Sequence, residues 1–543
     1  MSLRSFGERR RRNEVRYSTH TRTTVTTKMR IGRLRWAVMS TMLLWYGAPA
    51  MANDEALTIK GSYSIRPTPP LKIGHRRQLL MDDYVVEDRR AIRRVVHQPV
   101  KHPANPLFST GSGGLCPDRS FNYVNVIRDS ENGLYRAWAA SSIQIKQPTP
   151  PFFYWLTRAR YYESDDGLRW RAPELGIIEI DGTKANNVFK GSPEITYDSV
   201  GVSESPPKWR HKGRYMMVYH LGPAGRDPHP ELIAGGQELR LAFSDDGVDW
   251  RDQQENPIFR GQSDTANNVC YNPVRDVIMS YRRPPINAGE IRRIAYAEST
   301  DLITWTQPEH VIVPDELDSY SLYCMPVVRY EGVYFGFLHM FYLRRPFTTE
   351  GKVEKYMKLD VQLAWSRDGK KWERHPERPL FIETGRDGSY DRGMIHAAKG
   401  LIVHDDRIEV YYTGSEALHI STMPGESSLC LATLRRDGFV SLDAPENGNI
   451  LTKPIECPGG KLRINAKTRK GGSIRVAIRR GDGEHDGERL QNRSYENCVP
   501  FTGDGLDAGV TWKGKPNLND LTGKAIRIEF LLENAELYSF WIE

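Results

Sequence analysis

Four copies of one short pattern run through the middle of the chain: Ser164-Asp165-Asp166-Gly167-Leu168-Arg169-Trp170, Ser244-Asp245-Asp246-Gly247-Val248-Asp249-Trp250, Ser299-Thr300-Asp301-Leu302-Ile303-Thr304-Trp305 and Ser366-Arg367-Asp368-Gly369-Lys370-Lys371-Trp372. Each follows apolar, strand-like residues such as Leu241-Ala242-Phe243 and Leu363-Ala364-Trp365, so each predicts a strand, a tight Asp-Gly turn and a return strand anchored by Trp. The copies lie 55 to 80 residues apart, too far for a solenoid repeat and right for four-stranded blades set around an axis. The spacing predicts an all-β chain built on a β-propeller.

Five segments have the character of inner strands preceding such hairpins: Phe121 to Ile127, Glu194 to Val202, Asn267 to Tyr271, Tyr320 to Tyr330, and Gly393 to Val403. The fifth unit has a degenerate turn, Arg436-Asp437-Gly438-Phe439, with Phe in place of Trp. Five blades are therefore expected over residues 116–444. Before them, residues 53–115 contain Pro67-Thr68-Pro69-Pro70 and predict an extended lead-in. After them the pattern stops, and alternating segments such as Leu462-Arg463-Ile464-Asn465-Ala466 predict a small β-sandwich over residues 445–543.

The net charge of +8 would suggest a nucleic-acid or membrane partner if it were spread over the folded part. Residues 1–52 alone carry a surplus of nine positive charges, which leaves residues 53–543 at −1. Within that leader, Met29-Arg30-Ile31-Gly32-Arg33 precedes an apolar run from Trp36 to Tyr46 and an Ala50-Met51-Ala52 ending. These are the parts of a secretory signal peptide, with Met29 as a fitting start and cleavage before Asn53. The expectation is a periplasmic or extracellular protein with no nucleic-acid partner and no membrane span after cleavage. The six cysteines contain no Cys-x-x-Cys pair, and only Cys457 and Cys498 share a domain in which a bridge would be natural.

Inner strands of a propeller start near one end of a common channel, so acids at those starts converge. They are Asp118, Glu194 or Asp198, Asp264, Asp318 and Asp391. Hydrolysis of a glycosidic bond needs one carboxyl as proton donor and one carboxylate to activate water or attack the sugar, which a ring of acids can supply. Tyr154, Trp155, Tyr320, Tyr323 and Tyr342 are candidates for covering sugar faces, and Arg282-Arg283 and Arg344-Arg345 for holding an acidic sugar. The acids within the turns, Asp166, Asp246, Asp301 and Asp368, are read as structural. No phosphate loop, metal-ligand spacing or calcium loop occurs, so no cofactor is expected, although a structural Ca²⁺ in the channel is compatible with the sequence.

The repeated Ser-x-Asp-Gly-x-x-Trp turns, with Leu79-Leu80-Met81-Asp82-Asp83-Tyr84 and His97-Gln98-Pro99-Val100-Lys101-His102-Pro103 in the lead-in, resemble the five-bladed propeller glycoside hydrolases that include arabinanases, β-xylosidases, invertases and levansucrases. The interval from Asp to Trp is shorter than in sialidase boxes. By position, the resemblance implies Asp118 as base or nucleophile, Asp198 as the orienting acid and Asp264 as proton donor, the last an Asp where those families have Glu. Glu194, Asn268, Asp318, Tyr320, Arg282 and Asp391 are the expected substrate-binding positions, with no metal ligand. The expected function is an exported glycoside hydrolase acting on a polysaccharide or oligosaccharide. The alternative is a carbohydrate-binding or scaffold propeller without catalysis.

Overall fold

The computed structural model describes residues 69–543 apart from 112–113, 147–152, 192–194, 224–236, 262, 285–291, 319, 343–356, 420–425 and 483–486. Contacts divide the chain into Met1–Arg66 and Pro67–Glu543. The first unit, with the leader and its signal-like run, lies outside the described residues, all of which belong to the second. Among the described residues no helix is long and apolar enough to cross a membrane.

Five antiparallel meanders follow one another. The first runs Ser120–Arg128, Tyr135–Lys146 and Phe153–Ser164, the second Ile195–Glu204, Tyr215–Pro223 and Glu238–Ser244, and the third Asn268–Asn272, Val277–Arg282 and Ile294–Ser299. The fourth has Tyr320–Leu322 and Val327–Tyr330 inside, then Val333–Tyr342 and Leu359–Ser366, while the fifth has Met394–Ala397 and Ile402–Val403 inside, then Arg407–Ser415 and Ser427–Arg435. Short outer strands follow in the first four.

The Ser-x-Asp pattern works at each turn as a hydrogen-bond hub. In the second copy Asp246 Oδ1 accepts from the backbone N–H of Val248 and Asp249 at 2.8 and 2.9 Å, Ser244 Oγ accepts from Gly247 N at 2.8 Å, and Trp250 Nε1 donates to Gly247 O at 3.0 Å. In the four Ser-x-Asp turns the same carbonyl then ties the meander to the one before it around the ring. Trp138 Nε1 donates to Gly247 O at 2.6 Å, Gln253 Nε2 to Leu302 O at 2.9 Å, Tyr281 OH to Gly369 O at 2.7 Å, and Tyr411 OH of the fifth meander to Gly167 O of the first at 2.8 Å. Glycine suits this place twice over: Gly247 has φ +82, and a Cβ there would stand 2.7 Å from the Trp138 ring.

The inner strands close the ring. Asn125 of the first meander spans Val200 O and Val202 N of the second, and Asn268 of the third spans Met325 O and Val327 N of the fourth. Leu359 pairs with Met394 between the fourth and fifth, and Lys399 exchanges backbone bonds with Val124 and Val126 to return to the first. The result is a β-propeller.

The lead-in differs from expectation. Val100–Lys101 and Phe108–Ser109 add the outer edge to the fifth meander, while Gln78–Leu79, Val86–Arg90 and Arg93–Val96 join the C-terminal sheet. Strands of two to five residues with exposed faces have no core of their own and take their order from the edges they complete. The C-terminal part is one connected eight-stranded sheet whose long strands, Val440–Thr452, Leu462–Arg480 and Ala525–Ile542, break register near Ala444, Thr468 and Asn534, where Asn534 has φ +49. Residues on both sides of the breaks, among them Leu442, Ile464, Phe540, Ile450, Val476 and Phe530, share one core. The degenerate fifth turn anchors this sheet: buried Asp437 accepts from Arg77, Tyr330 and Ser539 at 2.8, 2.5 and 2.6 Å. Cys457 and Cys498 lie in that core as free thiols, so the bridge considered between them is not formed.

Candidate functional site

Where the inner strands start, side chains from all five meanders meet. Tyr123 reaches the centre because the first inner strand breaks register between Asn122 and Asn125, and Tyr123 takes φ +54. A left-handed tyrosine costs about 1–2 kcal/mol. Asn125 Nδ2 holds the turn by donating to Tyr123 O at 2.9 Å. The Tyr123 and Tyr323 hydroxyls lie 3.1 Å apart, and His419 Nε2 is 3.1 Å from the Tyr323 hydroxyl. His396 stands edge-on to both tyrosines, with ring centroids at 5.7 and 5.8 Å, and lies 5.5 Å from His339. Arg283 and Arg292 lie over the Tyr323 ring at 5.4 and 5.0 Å.

The histidines, tyrosines and thiol of this floor are uncharged, with Arg283 and Arg292 as the cations beside them. Burial pushes His396 down to about 4, His419 down to about 3 and His339 well below the usual imidazole range. Burial also raises both tyrosines and lifts Cys324, whose Sγ is 3.0 Å from His339 Nδ1, to about 12. At neutral pH these groups present neutral rings, hydroxyls and a thiol.

Two carboxylates stand beside that floor. Asp198, with 26% of its side chain exposed, sets Oδ2 3.2 Å from Nδ1 of fully buried His220. The far nitrogen of His220, Nε2, accepts from Ser263 N at 3.4 Å, while Nδ1 faces the carboxylate without a hydrogen-bond partner among the described residues. Asp264, 38% exposed, pairs with buried Arg283. The segments carrying the two acids are joined by Asn267, whose Nδ2 donates to Ser199 Oγ at 3.0 Å and to Ser263 O at 2.7 Å. Asp198 thus faces one nitrogen of the imidazole, and Ser263, the residue before Asp264, donates to the other.

The other expected residues are placed elsewhere. Asp118 is 3% exposed, and Arg160 binds it through Nε–Oδ2 at 2.7 Å and Nη2–Oδ1 at 3.0 Å while Ser141 Oγ donates at 2.6 Å. Both oxygens are engaged, so the expected base is a buried structural ion pair. Asp318 has the same fate with Arg374, at 2.7 and 2.8 Å. Asp391 receives Lys101 Nζ at 2.6 Å and Tyr412 OH at 3.2 Å and secures the outer edge of the fifth meander. Asn268 is consumed by its ring-closing bonds. Arg282, lowered to about 10 by burial, stacks on Phe259 at 4.3 Å and donates to Arg283 O. All four side chains thus make contacts within the fold, where substrate-binding roles were expected. Glu194, Arg344, Arg345 and the side chains of Tyr154 and Tyr320 lie outside the described residues.

His220, His339 and His396 were not singled out from the sequence. Each is a lone histidine in an otherwise apolar strand, as in Met216-Met217-Val218-Tyr219-His220-Leu221 and Phe337-Leu338-His339-Met340-Phe341, and a polar residue repeated at that place in several meanders is a readable signal. Among the described residues no group of three or more His, Cys, Asp and Glu side chains is arranged to hold a metal ion.

No protein-family model matches the chain, and no curated protein does. Solved structures with a similar chain path include an N-acetylgalactosamine deacetylase from F. plautii in complex with blood group B trisaccharide, at TM-score 0.41 and 16% identity over 64% of this chain and 97% of that one. A β-1,2-mannobiose phosphorylase from Listeria innocua is similar at TM-score 0.40 and 13% identity, over 62% of this chain and 97% of that one. A thermostable family-43 glycoside hydrolase is similar at TM-score 0.37 and 13% identity, over 58% of this chain and 89% of that one.

Proposed function

We propose that the protein is an exported carbohydrate-active enzyme that hydrolyses glycosidic bonds at the axial cluster, with Asp198 and Asp264 as its two carboxyl groups. The observation that carries this reading is that, of the described acids expected at inner-strand starts, Asp198 and Asp264 alone keep partly exposed side chains, Asp198 beside His220 and Asp264 paired with Arg283 and next in sequence to Ser263, which donates to that imidazole. Tyr123, the partly exposed ring at the axis, suits the apolar face of a pyranose. The ion pair with Arg283 suits Asp264 to the carboxylate role, activating water or attacking the sugar. Proton donation then falls to Asp198 beside His220, whereas position alone implied Asp118 as base, Asp198 as the orienting acid and Asp264 as proton donor.

The test is release of reducing ends by the purified full chain from a panel of polysaccharides and aryl glycosides, with Asp198→Asn and Asp264→Asn in parallel. Release that both variants abolish supports the reading. A second reading, a carbohydrate-binding propeller without turnover, is favoured by Asp118 being locked to Arg160, since the resemblance implied a third carboxylate there. Silence across the panel together with retention on a glycan array would select it.

A further inference from the structure

The axial cluster gathers at the starts of the inner strands, and a separate cavity of about 670 Å³ gathers at their ends, lined by residues from 126–128, 202–204, 269–271, 327–329 and 399–403. Its volume falls in the range of small-molecule sites, about 300–1,000 Å³. One side chain crosses it. Lys399, tied by its backbone to Val124 and Val126 of the first meander, extends to the second, where Nζ donates to Val202 O at 3.3 Å. The residue is 9% exposed, and among the described residues no carboxylate lies within ion-pair distance of Nζ. An ammonium with three donors is left with one backbone carbonyl.

A buried charge without a counter-ion is costly, and it either gives up its proton or recruits an anion. Burial lowers Lys399 to about 8, so the amine sits near the balance between these two outcomes. The surroundings decide for the anion. Arg128 and Arg329 also line the cavity, each over a tyrosine ring at 5.9 Å, and neither is paired with a carboxylate among the described residues. Of the two acids in the lining, Asp129 is fully engaged by Arg136, Arg214 and Tyr215, and Glu204 is exposed. Among the described residues three cations without a carboxylate partner therefore line one cavity against one exposed acid.

We propose that this cavity is a second ligand site, for a small organic anion of about monosaccharide size whose carboxylate or phosphate is held by Lys399 and Arg329. The inference does not depend on the reading of the axial cluster.

Calorimetric titration of the full chain in low-chloride buffer with D-glucuronate, inorganic phosphate and D-glucose tests it. At least one anion should bind one-to-one and glucose should not; binding of glucuronate alone identifies a carboxylate ligand, and binding of phosphate an oxyanion supplied as phosphate. Lys399→Met should weaken binding about ten- to hundred-fold. Arg329→Ala, a change at an exposed position, should weaken it with no shift in thermal midpoint, which covers the case in which Lys399→Met does not fold. Asp198→Asn should leave it intact. Absence of binding by both anions, equal binding of glucose, affinity unchanged in Lys399→Met and Arg329→Ala, or loss in Asp198→Asn would each overturn the proposal.

Discussion

Asp198 Oδ2 and His220 Nδ1 stand 3.2 Å apart, the acid partly exposed and the imidazole fully buried with its other nitrogen against the backbone of Ser263. The imidazole is anchored on the Ser263 side and faces the carboxylate on the other, and through it the second inner strand, which carries Asp198, is set against the segment that carries Asp264.

His220 acts as a positioning residue. His220→Gln keeps a side-chain donor near Asp198 but loses the second anchor, so kcat should fall about 10²-fold while KM changes little. His220→Phe should fall further. Equal kinetics for wild type, His220→Gln and His220→Phe, measured on any glycan the protein turns over, would remove the residue from the site.

Asp118 is assigned to stability. Removing one partner of a buried ion pair leaves the other charge uncompensated, at a cost of about 3–5 kcal/mol. Asp118→Asn should therefore lower the midpoint of urea unfolding strongly, while activity per folded molecule stays near wild type. A stable variant with abolished turnover would return Asp118 to the catalytic list.

The buried histidines make the fold acid-sensitive. His396 has a folded pKa of about 4, below the unfolded value of 6.5, so the unfolded chain takes up a proton that the native one refuses. Its contribution is complete above pH 6.5 and is lost as pH falls toward 4. At pH 5 the loss for this one residue is about 2 kcal/mol. Urea unfolding at pH 7.5 and 5.0 should show it, and His396→Phe should reduce the difference by about that amount. An unchanged difference would show that His396 is not the group responsible.

Two glycines separate backbone conformation from packing. Gly247 and Gly182 have φ +82 and +80, but a Cβ at Gly247 meets Trp138 at 2.7 Å while one at Gly182 meets nothing within 4 Å. Both Ala variants carry the φ penalty, and Gly247→Ala should cost about 1–3 kcal/mol more. Equal thermal midpoints for the two variants would deny the turn its place in joining the first and second meanders.

The propeller was legible because its turns are local: Ser244, Asp246, Gly247 and Trp250 bond to one another within seven residues. The first three expected inner strands agree with the observed ones to within a residue or two, Phe121 to Ile127 against Ser120–Arg128 for example, while the fourth and fifth are each broken into two short strands. The edge strands were not legible, since Val100–Lys101 and Phe108–Ser109 are too short to carry a pattern. For the site, the positions of the acids could be read but their partners could not. Arg160 lies 42 residues from Asp118, Arg374 lies 56 from Asp318, and Lys101 lies 290 from Asp391, so which acids were consumed by ion pairs depended on the closed ring.

The pairing of Asp198 with Asp264 as the reacting carboxyl groups is decided by the rate of bond cleavage in Asp198→Asn and Asp264→Asn, compared at equal folded fraction on the best glycan substrate of the wild-type chain. Both variants should turn over about 10²–10⁴-fold more slowly, with glycan binding retained. Wild-type turnover by either one would contradict the assignment.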